Sequence, residues 1–155
     1  MGSSERALDL AFRHLSRRDR TEAELRRHLA AKDVGEAEAD AAIAEVARMG
    51  YLDDARYARA FAEDRRNLDA WGTERIERRL LELGVAREHV AAVLGDREGA
   101  GELEAALALL RRRFAGDALV GERERDRALG MLVRKGYELE LAYDAVRAFD
   151  RDAAA

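Results

Sequence analysis

Apolar residues recur along this chain at i, i+3, i+4 and i+7, the spacing that lines one face of an α-helix. Ala39, Ala42, Ile43 and Val46 share one such face; Leu103, Ala106, Leu107, Leu110 and Phe114 share another; Leu139, Ala142, Tyr143, Val146 and Phe149 share a third. Stop and start signals divide the pattern. Thr21 with Glu24 three residues on is a capping box, and Gly35, Gly50, Gly84, Gly95, Gly116 and Gly136 are the expected breaks. The spacing predicts helices over about 5–17, 21–32, 36–49, 54–68, 73–83, 86–94, 100–115, 122–135 and 138–150. At the sharpest junction, GYLDD, Gly50 can close one helix in the left-handed conformation and Asp53 or Asp54 can cap the next.

The helices recur as a group. Laying Thr21–Val34 over Gly72–Val85, an offset of 51, pairs Leu25 with Ile76, Leu29 with Leu80 and Val34 with Val85; Ala42 and Ile43 then fall on Val93 and Leu94. At a further offset of 52, Leu80 pairs with Leu132, Gly84 with Gly136, Val85 with Tyr137 and Leu94 with Val146. The expectation is three tandem three-helix repeats, over 5–50, 51–95 and 100–151. A repeat this short buries too little apolar surface alone, so neighbours must stack, and the expected product is an elongated, curved array.

Composition sharpens the class. Pro is absent, and Ala, Leu, Glu and Arg dominate the 155 residues, so the fold class is all-α. The 28 basic and 32 acidic residues give a net charge of −4, without the basic excess of a typical nucleic-acid binder. The balance holds locally, with 9 basic and 10 acidic residues over 1–50, 8 and 9 over 51–95, and 11 and 13 over 96–155. Without Cys there is no disulfide or thiolate site. No run reaches the roughly 18 apolar residues that span a bilayer. A cytoplasmic monomer with no membrane association is expected.

Catalytic chemistry is not legible. His14, His28 and His89 are scattered and lack metal-ligand spacing, so no metal site is expected. GDREGAG (Gly95–Gly101) lacks the Lys-Ser or Lys-Thr of a phosphate loop and reads as a hinge between the second and third repeats. Asp53 and Asp54 read as helix caps rather than an acid–base pair. The chain reads as a non-enzyme without cofactor.

Arginine is the abundant functional side chain. Arg17 and Arg18, Arg65 and Arg66, Arg75, Arg78 and Arg79, and Arg111, Arg112 and Arg113 recur at similar places in successive repeats. Most such guanidiniums pair with acids three or four residues away, but stacked repeats can line them into a basic stripe. Trp71, in NLDAWG, either stacks on a partner or packs against its own helices.

The central stretch resembles the RecX family of regulators of the RecA recombinase. The resemblance rests on Gly50-Tyr51-Leu52-Asp53-Asp54, then Arg56, Tyr57, Ala58, Phe61 and Arg65, then Gly72, Arg75, Ile76, Leu80, Gly84 and Val85. Ala7–Lys32 is similar to the family's N-terminal repeat, and the third repeat matches by length and helical pattern. The resemblance implies a helical array that binds the RecA–single-stranded-DNA filament, lies in its groove, and suppresses ATP hydrolysis and strand exchange in DNA repair and the SOS response. It implies no catalytic residue and no cofactor. The acidic balance points to binding through the recombinase, with weak direct DNA binding.

Most of the signature reads as structural: Tyr51 and Leu52 are expected to pack at a boundary between repeats, and Tyr57, Phe61 and Ile76 to fill the central core beside Leu80. The named arginines are the expected contacts to recombinase or filament DNA. A plain DNA-binding array of helix-turn-helix-like units, acting without a recombinase, is the alternative.

Overall fold

The computed structural model describes residues 2–97, 99–114 and 119–155. Gly116, one of the expected breaks, and Glu98 of the expected hinge lie outside them. The described residues form nine α-helices and a 3₁₀ turn, with no strand: α1 (Ser3–Arg17), α2 (Glu22–Ala31), α3 (Glu36–Arg48), α4 (Asp54–Asp69), α5 (Thr73–Glu82), α6 (Arg87–Leu94), α7 (Ala100–Phe114), α8 (Gly121–Lys135) and α9 (Leu139–Ala154). No helix is long and apolar enough to cross a membrane among the described residues.

The chain divides into two compact units, residues 1–61 with 80–90, and 62–79 with 91–155, the division falling within α4, α5 and α6. In the first unit α1 packs on α2 and α3, placing Ala7 and Ala11 against a core of Leu25, Leu29, Ala39, Ala42, Ile43, Val46 and Leu52. Leu25 and Leu29 have no exposed surface, and burying each is worth about 2 kcal/mol. In the second unit α9 packs on α7 and α8, and Ala106, Leu107, Leu110, Leu132, Tyr137, Ala142, Val146 and Phe149 close the core.

Helix ends follow local chemistry. Thr21 Oγ1 accepts from the Glu24 amide at 3.2 Å while the Glu24 carboxylate accepts from the Thr21 amide at 3.1 Å, completing the capping box. Four helices end in the same hydrogen-bond pattern, in which the residue after the left-handed position reaches back five residues. The bonds are Val34 N to Leu29 O at 3.0 Å, Tyr51 N to Val46 O at 2.9 Å, Val85 N to Leu80 O at 3.0 Å and Tyr137 N to Leu132 O at 3.0 Å. Three of these apolar pairs, Leu29/Val34, Leu80/Val85 and Leu132/Tyr137, are the ones that revealed the repeat.

Three expectations change. Tyr51 does not pack at a boundary: following the left-handed Gly50 its ring turns outward, is 55% exposed, and meets Phe12 edge-on at 5.7 Å. In the core face of α4 the covered residues are Ala58 and Ala62, while Tyr57 and Phe61 are half-buried with rings 6.1 Å apart. On α9 the buried stripe runs Ala142, Ala145, Val146 and Phe149, leaving Leu139 and Tyr143 52% and 45% exposed.

Candidate partner-binding surface and the repeat junctions

The helices acquire their positions at two junctions built to one plan, one inside each compact unit. In the first unit, the start of α2 docks on the end of α5. Thr21 is fully buried, and its hydroxyl donates to the Leu83 carbonyl at 2.6 Å. Gly84, with φ +84°, lies so close to Ala23 that an added Cβ would come within 3.0 Å of the Ala23 side chain. The first turn of α4 completes the joint, where Asp54 Oδ1 accepts from the Glu22 amide at 2.9 Å.

The second unit repeats the arrangement with different atoms. At the start of α5 the Gly72 amide donates to the Lys135 carbonyl at 2.7 Å and the Glu74 amide to the Gly136 carbonyl at 2.9 Å. Gly136, with φ +101°, faces Arg75 as Gly84 faces Ala23. The carboxylate now comes from the first turn of α7, where buried Glu102 accepts from the Thr73 amide at 2.7 Å and from Arg97 Nε at 2.9 Å. In both units a carboxylate from the next repeat's first helix caps the N-terminus of the preceding repeat's second helix, where the helix dipole favours negative charge.

These joints settle what the two aspartates do. Asp53 caps α4, accepting from the Arg56 amide at 3.0 Å. Asp54 caps α2 from across the chain, and burial there raises its pKa from the ordinary aspartate value. The Gly95–Arg97 turn is anchored by its own side chain, since Arg97 bonds Glu102 and reaches the Tyr137 hydroxyl at 3.5 Å. That hydroxyl in turn donates to the Ala70 carbonyl at 3.0 Å.

The arginines divide by what they touch. Arg75 lies over the Trp71 ring at 4.1 Å and donates to the Arg134 carbonyl at 3.3 Å. Arg65 pairs with Asp69 and stands 5.8 Å from the same ring, and Arg66 donates to the Val93 carbonyl at 3.3 Å. All three are half-buried, as is Trp71, which packs against its own helices. By contrast Arg17, Arg18, Arg78, Arg79, Arg111, Arg112 and Arg113 are exposed. Arg18 shares Glu24 at 2.9 Å, and Arg111 stands 3.7 Å from Asp152. The Arg111–Asp152 pair, exposed on both sides, contributes little to stability and is free to exchange partners.

One cluster lay hidden in the sequence. His14 of α1 and His28 of α2 stack face to face, with centroids 3.8 Å apart and planes within 7°. Burial, then the neighbouring His28, Arg20 and Arg18, hold the His14 pKa down to about 4; burial, then Lys32, Arg20 and Arg17, lowers that of His28. A sequence separation of 14 gives no helical signal for such contact. Two open clefts sit at the joints: one of 490 Å³ is lined by residues including Glu22, Asp54, Gly84 and His89, and one of 200 Å³ by residues including Thr73, Glu102 and Leu141. No group of three or more metal-ligating side chains is present among the described residues.

Against known proteins, the model of the first three-helix domain of RecX matches residues 7–45, and that of the second three-helix domain matches residues 53–94. A protein called Regulatory protein RecX from Thermus thermophilus is 40% identical over 147 residues, covering 95% of this chain and 93% of its own. Its namesake from Trichlorobacter lovleyi is 37% identical over 134 residues, covering 84% and 87%. The crystal structure of RecX from Lactobacillus salivarius shares the fold, with a TM-score of 0.81 over 96% of this chain and 97% of that one at 18% identity. Both RecX domains occur in order, and a relative at 40% identity spans nearly all of each chain: this chain belongs to the RecX family.

Proposed function

We propose that the protein regulates the RecA recombinase, binding the RecA–single-stranded-DNA filament and restraining its ATPase and strand exchange. The observation that carries this reading is the family membership: the relatives matched along nearly their whole length are named regulatory proteins. The structural features agree with it. The charged surface is arginine-rich, two of the clefts lie at structural joints, and the buried carboxylate Glu102 is occupied as a helix cap.

In this reading Arg17, Arg18, Arg78, Arg79, Arg111, Arg112 and Arg113 meet acidic recombinase surface or the filament strand. Arg65, Arg66 and Arg75 hold Asp69, Trp71 and backbone carbonyls within the second unit, which also carries Arg78 and Arg79. Co-sedimentation with preformed RecA–DNA filaments tests the assignment. The wild-type chain pellets with filaments, whereas a folded Arg78→Glu/Arg79→Glu variant stays in the supernatant. Undiminished pelleting of that variant would remove these arginines from the contact.

A further inference from the structure

We propose that the stacked His14–His28 pair, with Arg17, Arg18, Arg20 and Lys32, forms a binding surface for the phosphodiester backbone of single-stranded nucleic acid whose affinity rises on acidification. The inference takes its strand from the function proposed above and adds a regulation to it.

The geometry supplies the coupling. Two imidazoles in parallel contact, with centroids 3.8 Å apart, cannot both take a proton without placing like charges face to face. The groups around them add to that penalty. From α1 comes Arg17, from the connection to α2 come Arg18 and Arg20, and from α2 comes Lys32. Among the described residues the acid acting on the stack is Glu24, already shared by Arg18 at 2.9 Å and Arg20 at 3.9 Å and bonded to the Thr21 amide. The cluster is therefore short of negative charge. Both depressed imidazole pKa values reflect burial first and this cationic neighbourhood second.

A polyanion laid on this surface supplies the missing charge. Charge complementarity selects it: a phosphodiester strand presents repeated anions to several cations at once, and binding releases condensed counterions. Its field favours the imidazolium forms, so strand binding raises the proton affinity of the pair. By thermodynamic reciprocity, protonation raises the affinity for the strand by the same factor. Near neutral pH the stack stays neutral and binding is weak, in keeping with an acidic protein. Below about pH 6 the bound strand draws a proton onto one imidazole of the pair, which then joins the anion site.

The test is the fluorescence anisotropy of a labelled oligo-dT titrated with the full chain at low salt, at about pH 8 and about pH 5.5. Circular dichroism establishes the folded state at both values. The wild type is expected to bind about tenfold more tightly at the lower pH. His14→Gln/His28→Gln should match the wild type at the higher pH and lose most of the gain, while His89→Gln keeps it. Arg17→Glu/Lys32→Glu should weaken binding at both values. A wild-type affinity independent of pH, an equal gain in the His14/His28 variant, or no binding at either pH would overturn the proposal. DNA alone is used, so such a failure leaves the recombinase contact untouched, and loss of that contact leaves this result standing.

Discussion

If the repeat joints position the helices, Gly84 should tolerate a methyl group far less well than Gly50, although their backbones match. Both sit in the left-handed region in the first compact unit, at φ +84° and +83°. Substituting alanine at either therefore costs about 1 kcal/mol of backbone strain. At Gly50 nothing lies within 4 Å of the added Cβ, so the loss should end there. At Gly84 the methyl meets Ala23 closer than 3.0 Å, and α2 must withdraw from α5. Withdrawal breaks the 2.6 Å bond from the buried Thr21 hydroxyl to Leu83, and stranding those groups costs a further 2 kcal/mol or so. Gly84→Ala is thus expected to lose about 3 kcal/mol, roughly three times the Gly50→Ala loss.

Equilibrium urea denaturation followed by circular dichroism measures both. Adding Ala23→Gly to Gly84→Ala reopens the space. The double-mutant cycle should return a favourable coupling of about 2 kcal/mol, even though glycine in a helix itself costs about 1 kcal/mol. Equal losses at Gly50 and Gly84, or a cycle without coupling, would show that the close approach is not what joins the helices.

Further outcomes follow from the caps and the imidazoles. Glu102→Gln should destabilise the second unit by about 3 kcal/mol, because Arg97 is left half-buried without its counter-charge; differential scanning calorimetry would resolve it. Lowering pH should destabilise the native chain between about 6.5 and about 4. In that window the unfolded state takes up a proton on His14 that the folded state refuses, and below it the difference is complete. His14→Gln should remove that part of the pH dependence in urea titrations at stepped pH.

How much of this was written in the chain depends on the range of each interaction. The Leu29/Val34, Leu80/Val85 and Leu132/Tyr137 pairs are local, five residues apart within one helix ending, so the repeat was visible in one dimension. The capping box at Thr21 and Glu24 was legible for the same reason. Of the two aspartates offered as the cap of α4, Asp53 takes that role, whereas the part Asp54 plays was invisible because it accepts 32 residues away, at Glu22. Nothing at Glu102 distinguished it from the surface acids around it, since its burial comes from α5 and Arg97. On α9 the sequence favoured Leu139 and Tyr143 by hydrophobicity, whereas packing chose the smaller Ala142 and Ala145, which allow close helix approach. Arginine abundance marked the surface but not its division. Arg75 looks like Arg78 in sequence, yet one is stacked on Trp71 and the other is exposed.

The central claim is regulation of a recombinase through protein contact, and the most direct measurement is the single-stranded-DNA-dependent ATPase of the cognate RecA as this protein is titrated in near neutral pH. A binding isotherm to the same DNA without RecA, taken at two salt concentrations, runs beside it. The account predicts inhibition at or below stoichiometric ratios, weak binding to DNA alone, and loss of inhibition in the Arg78→Glu/Arg79→Glu variant. An unchanged ATPase together with tight, salt-sensitive DNA binding would contradict it, leaving a helical array that acts on DNA without the recombinase.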